Sequence, residues 1–182
     1  MNGHQKQREQ SGRMIEEALF KLMEKKPYAQ ITVSEITRRA DISRRTFYRL
    51  YGEKDEVLCR YLEKLCRKYQ SEIPPLDRYD ISRIALDYFT FWYRYKDFLL
   101  LMHGQGLDEM VCGEINRLAL SVIQSRIKDR EYKDSEDAEY FADYSTGGFT
   151  QLLRRWIAQG MQQNPREYAR AVSRSLRKFI NI

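Results

Sequence analysis

Residues 31–58 read ITVSEITRRADISRRTFYRLYGEKDEVL, and the fold follows from how this stretch is punctuated. Thr32 and Glu35 stand in T-x-x-E spacing, the capping box that opens a helix, here a short one through about Ala40. Ile36 and Ala40 repeat at i and i+4 and define its inner face. Asp41 follows, a residue type that tolerates turns. Ser43 is placed to cap a second short helix, about Arg44 to Leu50, anchored by Phe47 and Leu50. Two short helices joined by a turn of three or four residues make a helix-turn-helix. Gly52 ends the second, and Lys54 starts a longer one.

Working outward, the pattern is helical almost everywhere. Upstream, Met14, Ile15, Ala18, Leu19, Leu22 and Met23 recur at three- and four-residue steps over about 8–26, and Pro27 stops that helix. Downstream, Val57, Leu58, Tyr61, Leu62, Leu65, Cys66 and Tyr69 form one stripe along a helix to about Ser71. Pro74 and Pro75 make a rigid break after it. Five more helices are expected, at about 81–95, 97–104, 109–130, 136–161 and 165–180. Asn164, Pro165 and Glu167 supply a cap, a first-turn proline and a first-turn acid for the last. The expectation is an all-α chain of about nine helices. A helix-turn-helix domain spans 1–53 and a second helical domain spans 54–182, with helix 54–71 connecting them.

Charge supports the division. Of 182 residues, 32 are Lys or Arg and 26 Asp or Glu, a net +6. Residues 1–51 hold eleven of the cations and six of the acids, so +5 of the excess sits in the first third. A basic module beside a nearly neutral remainder suits a polyanion partner for the former. No run approaches the roughly 18 apolar residues of a membrane span, and residues 1–10 lack an apolar signal core. A cytoplasmic protein with no membrane association is expected. Cys59 and Cys66 lie about 10 Å apart along one helix, too far for a bridge, and with Cys112 the count is odd. Free thiols follow, with a redox role for any of them left open.

The register Ile31, Thr32, Val33, Ile36, Ala40, Ile42, Ser43, Thr46, Tyr48, Tyr51, Lys54 and Val57–Leu58 resembles, without a gap, the DNA-binding domain of TetR/AcrR-family transcriptional regulators. The R-R-T-F-Y stretch and W-I-x-x-G-M-x-x-x-P (Trp156 to Pro165) are similar to a subgroup typified by regulators of dihydroxyacetone kinase operons. Asp41 stands where that family usually has Gly, and Tyr51 where it has Phe. The resemblance implies phosphate contacts at Tyr48 and Lys54, and groove-facing positions at Arg44, Arg45 and Thr46, with Arg49 also reaching the backbone.

The residue chemistry stands beside the resemblance. Arg44 and Arg45 occupy the first turn of the second short helix, where a major-groove helix meets base edges. An Arg bidentate to guanine contributes about 1–3 kcal/mol of discrimination. Thr32, Ser43, Thr46 and Tyr48 supply hydroxyls for phosphates, although Thr32 and Ser43 also serve as caps.

In the second domain, Gly148, Leu152, Trp156, Tyr168, Val172 and Leu176 are expected to form a homodimer interface, a bundle of two helices from each subunit. Gly147 and Gly148 would allow close approach. Tyr88, Phe89, Trp92, Met102, His103, Phe141, Tyr144 and Phe149 are candidates for an effector pocket, with ordinary core as the competing reading. No residue set has metal-ligand spacing, no cofactor is called for, and no G-x-x-x-x-G-K-[ST], H-E-x-x-H, G-x-S-x-G or G-x-G-x-x-G motif points to an enzyme. The expected function is a ligand-responsive dimeric regulator, a repressor on a palindromic double-stranded DNA operator, with an unknown small-molecule effector. The alternative is a co-activator working through a protein partner with weak DNA binding, against which the Arg44–Arg45 pair argues.

Overall fold

The computed structural model describes residues 3–73, 80–126 and 136–180, and among them it is helical throughout. The helices are α1 (Gly3–Met23), α2 (Val33–Arg39), α3 (Arg44–Leu50), α4 (Lys54–Glu72), α5 (Ile81–Tyr93), α6 (Lys96–Gly104), α7 (Asp108–Arg126), α8 (Glu136–Ala158) and α9 (Pro165–Ile180), with a 3-10 turn at Tyr28–Gln30. The expected break at Pro74 and Pro75 lies outside the described residues. The chain forms two compact units, 1–62 and 63–182, divided within α4.

The first unit is built around the stripe read from the sequence. Ile15, Ala18, Leu19 and Met23 of α1 are buried with Ile36, Phe47, Leu50, Val57, Leu58 and Leu62. Phe47 is wholly enclosed, and emptying such a site costs about 3–5 kcal/mol. α1 begins earlier than its apolar stripe, because Gln5–Gln10 extend it as a fully exposed polar overhang. Tyr51, in place of the usual Phe, sets its hydroxyl 3.4 Å from Oε1 of buried Glu16. The extra oxygen thus meets a polar partner inside the unit, and burial pushes the phenol pKa up.

In the second unit α9 lies along α5, α7 along α8, and α6 against both α7 and α8. Its interior is aromatic. The Phe89 ring meets those of Tyr168 (4.9 Å), Trp156 (5.7 Å) and Phe149 (5.9 Å), and Trp156 stacks on Tyr168 at 4.8 Å. Cys66 is buried here, which raises its thiol pKa to about 12, and none of Cys59, Cys66 and Cys112 is in a disulfide. Among the described residues, no helix is long and apolar enough to cross a membrane.

Candidate nucleic-acid interface

The angle between α2 and α3 is set by local hydrogen bonds. Thr32 caps α2 through the full capping box: its Oγ1 accepts from the Glu35 N–H (3.3 Å), and Glu35 accepts from the Thr32 N–H (3.0 Å). The Lys26 ammonium grips the same carboxylate at 2.7 Å and donates to the Gln30 carbonyl at 2.9 Å. The ammonium, followed by the Thr32 amide and hydroxyl, holds the Glu35 carboxyl down to about 2.

α2 ends in a Schellman turn, with Ile42 N–H donating to the Thr37 carbonyl (3.0 Å) and Asp41 N–H to that of Arg38 (3.4 Å). Asp41 takes the left-handed position this turn requires, at φ 52°. Ser43 then caps α3, its Oγ accepting from the Thr46 N–H at 3.0 Å.

This frame buries one side of α3 and presents the other. Phe47 and Leu50 point into the core; Arg44, Arg45, Tyr48 and Arg49 are exposed. They fall at i, i+1, i+4 and i+5, one outward face. Arg44 leans over the Tyr48 ring (5.9 Å), and Tyr48 is one of three large apolar side chains left exposed among the described residues, at 49%. No carboxylate pairs with Arg44, Arg45 or Arg49 among the described residues. Such an unneutralised, hydroxyl-flanked arginine face fits phosphates and guanine edges.

Other expected contacts are placed differently. The Lys54 ammonium is turned inward. It donates to the carbonyls of Tyr28 (2.8 Å), Ile31 (3.1 Å) and, weakly, Ala29 (3.4 Å), and it lies 4.4 Å from the Tyr28 ring centre. It closes the 3-10 turn onto α4, alongside the Tyr28 hydroxyl bonded to Asp55 (2.5 Å). The first turn of α4 also carries Asp55 and Glu56, and the Glu56 carboxylate accepts from the Gly52 N–H at 2.5 Å. Acids thus stand at the start of α4, where the helix dipole favours negative charge. Thr32 likewise commits both its amide and its hydroxyl proton to Glu35. Lys26, Tyr28 and Asp55 were not singled out in the sequence, because only the fold brings the 3-10 turn against α4.

In the second unit, Phe89, Trp92, Met102 and Phe149 are buried core. His103 is exposed and faces Asp108 at 3.0 Å, and Tyr144 is 66% exposed, apart from the buried candidates. Phe141 is half-buried. Tyr88 stands apart: its hydroxyl is sealed from solvent with only the Thr150 side chain close enough to interact and no well-formed hydrogen bond, and Trp156 Nε1 is sealed without a partner.

The expected dimer residues also divide. Trp156, Tyr168 and Val172 are buried within their own unit, where Trp156 stacks on Tyr168 and the Tyr168 hydroxyl donates to the Leu152 carbonyl at 2.9 Å. Their apolar stripe is already covered by the chain itself. Gly148 is exposed, and Leu152 and Leu176 are half-buried. Beside Gly148, the outward side of α8 carries Tyr140 (63% exposed), Tyr144 and Gly147, and a Cβ at either glycine would meet open space.

Comparison with known proteins bears on this arrangement. The family model described as "Bacterial regulatory proteins, tetR family" matches residues 15–60, and that of a "Transcriptional regulator C-terminal region" (TetR_C_8) matches residues 79–178. The HTH-type transcriptional regulator YxbF of Bacillus subtilis (strain 168), itself described as uncharacterized, is 47% identical over 45 residues, 25% of this chain. That stretch spans 12% of the relative's own length. Among solved structures, the dihydroxyacetone kinase operon activator DhaS has a similar fold. The TM-score is 0.58 at 18% identity, with 94% of this chain and 97% of that one covered.

Proposed function

Because the chain belongs to the TetR family of bacterial helix-turn-helix transcriptional regulators, we propose that it is a ligand-responsive dimeric repressor gripping a palindromic DNA operator through α3. The observation that carries this is the outward face of α3, where Arg44, Arg45 and Arg49 stand without carboxylate partners beside exposed Tyr48. Arg44 and Arg45 read base edges. Tyr48 and Arg49, with Ser43 and Thr46 at the helix start, hold the phosphates. Thr32 and Lys54 act one step back, by fixing the helices that carry these groups.

Dimerisation follows from what one such helix can read. A seven-residue helix is about 10 Å long and spans few base pairs, whereas a two-fold pair doubles the contact on half-sites about one helical turn apart. The outward side of α8, with Tyr140, Tyr144, Gly147 and Gly148, is the surface we assign to the partner subunit. Ligand response is supported by two poorly satisfied polar atoms in the aromatic interior, Trp156 Nε1, which has no partner, and Tyr88 Oη, which has only the Thr150 side chain near it. Buried polar groups are ordinarily satisfied, and a bound effector would satisfy these. The chain works where the DNA is, in the cytoplasm, and carries out no catalysis.

The test is binding of the purified chain to DNA flanking its own gene, followed by fluorescence anisotropy from 50 to 200 mM salt. We expect a specific site whose affinity falls steeply with salt, and an Arg44→Ala/Arg45→Ala variant that keeps its fold but loses the preference for that site. Regulation that survives the double substitution favours the co-activator reading instead. A reporter assay in cells lacking the gene gives the sign of regulation, derepression being expected. The sign needs this direct assay because the similarly folded DhaS is an activator.

A further inference from the structure

One surface of the second unit is not accounted for by operator binding, dimerisation or the aromatic interior. A groove of about 770 Å³ runs between α5 and α9, with Ser82 and Leu86 on one wall and Ala169 and Ser173 on the other. Five cations border it: Arg166, Arg170, Arg174, Arg177 and Lys178. Its size is that of a small-molecule site.

The charge pattern of α9, like that of α3, differs from that of most other helices. There, cations sit one turn from acids: Lys21 with Glu24, Arg60 with Glu56, Arg67 with Glu63, Arg83 with Asp87 and Arg117 with Glu114. Along α9 the neighbours of Arg170 four residues away are Arg166 and Arg174, and Lys178 continues the row; Glu167, three residues before Arg170, makes no ion pair with it. Like charges at that spacing destabilise a helix. Glu167 is the sole acid of α9, and none of Arg166, Arg170 and Arg174 has a carboxylate partner among the described residues. Arg166 also stands in the first turn, where the helix dipole disfavours a cation. Arg177 and Lys178 suit the helix C-terminus; the other three have no such compensation. Arg177 is meanwhile held in place by Ser82 Oγ (2.9 Å) and Asp80 (3.4 Å).

We infer that the α5–α9 groove binds a small organic anion carrying two or more carboxylate or phosphate groups. The arginines neutralise the anionic groups, Ser82 and the positioned Arg177 fix one end, and Leu86 and Ala169 pack against the carbon skeleton. The site shares no residue with the aromatic interior or with α8.

Isothermal titration of the full chain with citrate and, separately, with fructose 1,6-bisphosphate tests this and tells a carboxylate from a phosphate preference. We expect saturable binding of at least one probe, with one site per chain. It should weaken tenfold or more in Arg170→Glu/Arg174→Glu, remain within about threefold in Arg170→Lys/Arg174→Lys, and be untouched by Tyr88→Phe. The thermal melt of each variant shows that it is folded; should the Glu pair fail to fold, Arg170→Ala/Arg174→Ala takes its place. Sedimentation velocity is run on the same samples. No saturable binding of either probe at 10 mM overturns the inference. So does binding that the charge reversal leaves intact, or a change of oligomeric state in the reversed variant, which would make the groove a subunit contact. The outcome is independent of the operator assay, so a failure here leaves the regulator reading standing, and the reverse also holds.

Discussion

Replacing Lys54 with Met separates two roles that the family resemblance and the geometry assign differently. Met keeps most of the aliphatic stem and removes the ammonium. Two good charge-assisted bonds are lost, to the Tyr28 and Ile31 carbonyls, with the weaker one to Ala29 and the contact with the Tyr28 ring. A hydrogen bond to a charged group contributes about 1.5–3 kcal/mol. The site is only half-buried, and the Tyr28 carbonyl keeps a second donor, the Ile31 N–H at 3.0 Å. A loss of about 2 kcal/mol for the first unit results. In a unit of this size, that is a drop in melting temperature of roughly 8–16 °C. Urea unfolding followed by circular dichroism measures it. Operator binding, read well below the melt, should keep its salt dependence. A variant that unfolds like the parent while the log–log salt slope falls by about one would refute the reasoning, since that is the signature of a lost phosphate contact.

Further consequences follow for single side chains. Asp41→Gly relieves a left-handed residue at the α2–α3 turn; against the added freedom of glycine when unfolded, a net gain of about 0.5–1 kcal/mol is expected in urea melts, and Asp41→Ala should lose stability. Glu35 has a folded pKa depressed to about 2 from an ordinary value near 4.3, so its contribution is present above pH ~4.5 and lost as pH falls toward 2. The melting-temperature gap between the parent and Glu35→Gln should therefore close over that window; a constant gap would count against the capping network. Tyr88→Phe removes a buried hydroxyl that makes no well-formed hydrogen bond and has only Thr150 near it, and thermal melts should show it neutral or stabilising by up to about 1 kcal/mol. A clear loss of stability would mean that the hydroxyl is satisfied in solution.

The helix-turn-helix was legible because its signals are local. A capping box is complete within four residues, a Schellman turn within six, and the side of α3 that faces outward follows from where Phe47 and Leu50 must go. Asp41 in place of Gly was readable as a tolerated departure, and the backbone adopts the expected conformation there. Tyr51 was readable only as a departure, because nothing near it in the chain announces that Glu16 of α1 will meet its hydroxyl.

The sequence by itself determined which segments are helical, which residues of the first unit are core, and that the arginines of α3 stand on its polar side, since each depends on neighbours within one or two turns. Tertiary structure decided what covers each apolar stripe and where each long side chain ends. Trp156, Tyr168 and Val172 form a stripe that one chain or two could bury, and contacts with α5 and within the α8–α9 pair show that one chain does. Lys54 can reach outward or inward along a flexible stem, and the carbonyls that hold it come from more than twenty residues away. Amphipathic spacing encodes that a face is to be buried or solvated; the partner is chosen by packing between segments distant in the chain.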